Sequence, residues 1–134
     1  MKTAKQAMAY MRALSMKREP IEAGWCLMHC RTAWGLPGGP PDAIHSWENT
    51  PPQHRHTDWT KAPVGAPHFW HVGAHGHVAL QAEHKGFIWS TDLPEVGHVG
   101  LVHLAMPSKL WHAVYLGWTD TLENFPIRLG PPAP

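Results

Sequence analysis

The 134-residue chain is 43% hydrophobic and only 16% charged, with a net charge of +1 when histidine is neutral. That balance excludes global disorder, and the lack of any lysine- and arginine-rich block excludes electrostatic nucleic-acid binding. The length predicts one domain over residues 1–134, large enough to bury a core without metals or disulfides.

Lys2 and Lys5 imitate the start of a secretory signal. The stretch that follows is short, is broken by Arg12 and lacks a cleavage site, so the reading is no signal peptide. No apolar run approaches the roughly 18 residues of a membrane span, so no membrane insertion is expected. Within the N-terminal segment 1–19, Ala4, Ala7, Met8, Met11 and Leu14 recur at helical spacing and predict an amphipathic helix over 3–17. A second helix is predicted over 24–34, entered through Gly24 and stopped by Gly35 and Pro37. Cys26 and Cys30 lie one turn apart on it. A disulfide there is geometrically awkward, and both read as thiols.

Asp42 is a candidate N-cap for a short helix from Ala43 to Trp47. Residues 49–62 are polar and histidine-rich with no period, which predicts a surface loop. Strands are expected over 66–72, 77–82, 86–90, 99–104 and 115–118, with a helical turn over 107–111. Val78-Ala79-Leu80 and Phe87-Ile88-Trp89 across a short turn predict a hairpin. Residues 128–134, rich in proline and glycine, predict a flexible tail. The sum is an α+β fold with N-terminal helices packed on an antiparallel sheet of about five strands.

The chemistry concentrates at three positions. A cysteine at a helix N-terminus, as predicted for Cys26, has its thiolate favoured by unpaired N–H groups and the helix dipole. His77 opens an apolar strand, a rigid place for a base that takes the thiol proton and returns it to a leaving amine. Asp92 follows one strand later, where a hairpin partner would orient that ring. Cys30, one turn deeper, reads as a buried and less activated thiol.

The chain also carries 12 histidines and 8 tryptophans. Indoles build core or line a groove for a flat or sugar-bearing ligand. Trp25, Trp47, Trp59 in the long loop, and His45 are the candidate substrate contacts. His71, His75 and His77 would share one face of a strand and could hold zinc or nickel. Gly73, Ala74 and Gly76 instead suggest a turn, and no carboxylate lies among them, so no metal and no cofactor are expected.

In chain order, Gly24-x-Cys26, Ala43-x-x-x-Trp47, Pro63-x-Gly65-Ala66-Pro67-x-Phe69-Trp70, Gly76-His77-Val78-Ala79 and a strand ending in a carboxylate make up a pattern. It resembles the CHAP and NlpC/P60 group of papain-like cysteine peptidases and amidases over roughly residues 20–120. The closing Tyr115-Leu116-Gly117-Trp118 is similar to small actinobacterial and phage versions. Papain-like enzymes carry a glutamine where this chain has Trp25. The resemblance implies a papain-like fold and cleavage of peptide or amide bonds in bacterial peptidoglycan. It implies Cys26 as nucleophile, His77 as base, Asp92 as orienting residue and the Cys26 N–H as an oxyanion donor. It also implies a monomer made in the cytoplasm that reaches the cell wall after release or as a virion component. The rival expectation is a catalytically inactive phage structural or wall-binding protein of the same fold.

Overall fold

A computed structural model describes residues 1–17, 19–39 and 41–134. Helix α1 spans Ala4–Ser15 and starts with a capping box. The Thr3 hydroxyl accepts from the Gln6 N–H, and the Gln6 side chain accepts from the Thr3 N–H. Its predicted stripe is the buried one, with Ala7, Met8, Met11 and Leu14 facing the core. Helix α2 spans Cys26–Ala33. Gly35 at φ +67 closes it, as Gly35 N–H donates to Thr32 and Leu36 N–H to Arg31. This pairing of a left-handed glycine with two back-donated bonds is a Schellman turn. Helix α3, Ala43–Asn49, is capped by the Asp42 carboxylate as expected.

Six strands form the main sheet: β1 Arg55–His56, β2 Pro67–His71, β3 His77–Gln81, β4 Phe87–Thr91, β5 Val99–His103 and β6 Val114–Thr119. Their order is β1-β6-β2-β3-β4-β5, and every ladder is antiparallel. Helix α4, Met106–Trp111, precedes β6. A separate two-stranded hairpin joins β7 Thr121–Leu122 to β8 Phe125–Pro126. The architecture is α+β, as expected, with one more strand in the sheet than the sequence predicts. Among the described residues, no helix is long and apolar enough to cross a membrane.

Alternation along the strands sorts the core into two layers. Phe69, Val78, Leu80 and Trp89 face α1 and α2, where they meet Met8, Met11, Leu27 and Trp34. Trp70, Ala79, Ile88 and Val102 face the other way, against Met106, Trp111 and Tyr115.

Two expectations are corrected. The extra strand, β1, lies within 49–62. Its two residues pair with β6, Arg55 opposite Thr119 and His56 opposite Trp118, and two residues are too few to show a period. The tail over 128–134 is docked. Ala133 is buried and its N–H donates to Ala62, while the Pro134 carbonyl accepts from the Lys85 N–H. Proline removes donors but leaves carbonyls able to accept.

Trp34 is fully buried and donates from Nε1 to the Gly65 carbonyl at 3.0 Å. Gly65 has φ +87, and a Cβ there would sit 2.6 Å from Trp34 Cζ2. A Gly65→Ala variant therefore combines left-handed strain with overpacking. It should lose about 2–4 kcal/mol of stability, read as a lowered urea midpoint. An unchanged midpoint would show that Trp34 is not locked against this turn.

Candidate functional site

The site begins with a missing rung. Where the β2–β3 ladder begins, the Gln81 N–H donates to the Ala66 carbonyl and the Gln81 carbonyl accepts from the Gly65 N–H. Alternation then turns the N–H and C=O of Val78 away from β2, towards β4. The β3–β4 register pairs Leu80 with Trp89 and Gln81 with Ile88, and it does not continue to Val78. Helix α2 takes the vacated places. The Val78 carbonyl accepts from Cys30 Sγ at 3.8 Å. The Val78 N–H lies beside the Cys26 sulfur, with the N–H groups of Leu27 and Cys26 itself. The nucleophile candidate, first residue of α2, is thereby fixed next to the chain neighbour of His77, first residue of β3. Both cysteines are free.

His77 is buried between indoles, 5.8 Å from the Trp70 ring and 5.0 Å edge-on from Trp111. Its Nε2 lies 2.8 Å from Ser90 Oγ. The Ser90 hydroxyl spends its own proton on the Thr91 carbonyl at 2.9 Å. Ser90 Oγ can then only accept, so the imidazole proton sits on Nε2 and the Nδ1 lone pair is available as a base.

The ring bond that the sequence reading assigns to Asp92 thus belongs to Ser90. Extending the Leu80–Trp89 register would place Asp92 opposite His77, but the ladder ends first and Asp92 adopts φ +61. Its carboxylate turns to the backbone instead, accepting from Gly24 N–H at 3.1 Å and Gly97 N–H at 2.8 Å. Asp92 pins the entry to α2 and stays close enough to act on both Cys26 and His77 through charge. Ser90 is the diagonal neighbour across the hairpin. A serine following the apolar run Phe87-Ile88-Trp89 was the sequence signal for it.

Cys26, His77 and Asp92 line one cavity of about 420 Å³, with Trp25, Arg31, Asp42, His75 and Trp111 also on its wall. Trp25 is 45% exposed there. The other three expected substrate contacts lie off this wall. Trp47 packs on Phe69 at 5.5 Å, under the Arg55 guanidinium. Trp59 stands beside Gly86. His45 is held by Asp42, its Nδ1 2.5 Å from Oδ1, while His75 Nδ1 takes the other oxygen at 2.8 Å. That contact occupies one ring nitrogen of His75. Among the described residues, no group of three or more His, Cys, Asp or Glu is placed to hold a metal ion.

Burial dominates the electrostatics. It pushes the Cys26 thiol up to about 11, with Asp92 adding to the rise and the three N–H groups opposing it. Burial likewise pulls His77 down to about 4 against the pull of Asp92. The resting pair is therefore a neutral thiol and a neutral imidazole, where the sequence predicts an activated thiolate.

No family model, curated protein or solved structure matches the chain.

A second buried histidine, His68, accepts at Nδ1 from the Tyr115 hydroxyl at 2.7 Å and donates from Nε2 to Gln81 Oε1 at 2.8 Å. Gln81 gives its amide hydrogens to the Ala82 and His84 carbonyls, which fixes that direction. Burial lowers His68 to about 4 as well. Between pH 6.5 and 4 the unfolded chain therefore binds two protons that the native chain refuses at these sites. Stability should fall on acidification through that window by about 3 kcal/mol per pH unit at its steepest. Urea midpoints that stay level from pH 7 to pH 4.5 would contradict this burial of neutral imidazoles.

Proposed function

We propose that the protein is a papain-like cysteine peptidase or amidase of the CHAP and NlpC/P60 type that cleaves peptide or amide bonds of bacterial peptidoglycan. The supporting observation is one cavity holding Cys26 at the head of α2 and His77 at the head of β3, with the imidazole proton parked on Nε2. The motif order supports the same reading, as does a nucleophile helix packed on an antiparallel sheet. Ser90 takes the orienting role, and Asp92 secures the α2 entry and favours the imidazolium that forms.

In the proposed course, Cys26 Sγ attacks the substrate carbonyl carbon while its proton passes to His77 Nδ1. The transfer accompanies attack because burial keeps both groups neutral at rest. Negative charge moves to the carbonyl oxygen, near the Cys26 N–H. The C–N bond breaks, Nδ1 returns the proton to the leaving amine, and a thioester remains. Water, deprotonated by the same nitrogen, then hydrolyses the thioester and restores the thiol. The wall lies outside the membrane, so the protein would reach it after release or as a virion component.

The neutral thiol favours a second reading, a wall-binding or phage structural protein of the same fold that does not cut. Incubation with purified sacculi separates the two. The hydrolase reading predicts soluble fragments with new amine termini by mass spectrometry, none from Cys26→Ala, and a rate lowered about tenfold or more in Ser90→Ala. Sacculi that bind the wild-type protein and release nothing would leave the second reading.

A further inference from the structure

Arg31 shares the cavity wall with Cys26. It lies five residues further along α2, about 7.5 Å along the axis at 1.5 Å per residue. Its side chain is 18% exposed, and Nη1 donates to Glu123 Oε1 at 3.0 Å. The Glu123 side chain is only 1% exposed, and its Oε2 has no hydrogen-bond partner among the described residues.

Glu123 also occupies an unusual backbone position. With Asn124 it makes the two-residue turn between β7 and β8, at φ +52 and +66. Such turns take asparagine or glycine readily, and glutamate rarely. The contact that this strained turn secures is a buried carboxylate behind the Arg31 guanidinium.

The carboxylates on the same wall are already matched. Asp92 accepts from Gly24 and Gly97, and Asp42 from His45 and His75. Among the described residues, the Arg31 side chain makes one hydrogen bond, to Glu123. A guanidinium fixed at one nitrogen keeps other N–H donors in a planar fork suited to a second carboxylate.

We infer that Arg31, clamped from behind by Glu123, is a carboxylate-binding subsite of the Cys26 cavity that selects peptides with an acidic residue near the scissile bond. The 7.5 Å offset corresponds to about two residues of extended chain. The identity of the occupant rests on the hydrolase reading, whereas binding without turnover tests the subsite separately.

The experiment titrates Cys26→Ala protein with N-acetyl-Ala-Glu-Ala-amide and its Gln isostere, each with the middle residue in L and D form. The Glu peptide of at least one hand should bind about tenfold or more tightly than its isostere. The paired variant Arg31→Gln with Glu123→Gln, which removes the cation without stranding a buried carboxylate, should abolish the difference. Arg31→Lys should keep part of it. Equal or undetectable binding of acid and amide overturns the subsite, even where sacculi are cleaved. Discrimination retained by a protein that cleaves no sacculi supports the subsite and sinks the hydrolase reading alone.

Discussion

Helix α2 holds on to β3 through the backbone of one residue. Val78 has its N–H beside the Cys26 sulfur and its C=O on the Cys30 thiol, in the places a β4 rung would fill. This contact sets the height of α2 over the sheet and puts the first residue of the helix beside the first residues of the strand. It also gives Cys30 a structural task, which is why two cysteines stand one turn apart. Trp34 anchors the far end of the helix on Gly65, so α2 is tied down at both ends.

The same seating decides the charge state. An N-terminal helix dipole favours a nearby anion by up to about 2 kcal/mol in partly buried geometry. Raising the Cys26 thiol from 9.0 to about 11 corresponds to roughly 3 kcal/mol against the thiolate. Burial wins, and the eight-residue helix cannot reverse it. The site is then organised by proton positions rather than by a standing ion pair. Ser90 can only accept, His77 can only donate from Nε2, and Nδ1 is the nitrogen left with a lone pair.

Much of this was legible in the residues, where the signal was local. The α1 stripe, the Asp42 cap, the hairpin between the Leu80 and Trp89 segments, and the heads of α2 and β3 each depend on neighbours in sequence. What escaped the reading depends on distant partners. β1 is defined by β6, and the tail by Ala62 and Lys85. Arg31 gains meaning only from Glu123, 92 positions away. Asp92 escapes its expected place beside the ring because the β3–β4 ladder stops before it. A left-handed residue at that point sends the carboxylate to Gly24 and Gly97 and leaves the diagonal serine to hold the ring.

The most direct test is the long-range proton–nitrogen correlation spectrum of the histidine rings. The account predicts that His77 at pH 7 is neutral with its proton on Nε2, stays neutral to below pH 5, and loses this tautomer preference in Ser90→Ala. A charged His77 ring at pH 7, or one protonated on Nδ1 alone, would contradict it.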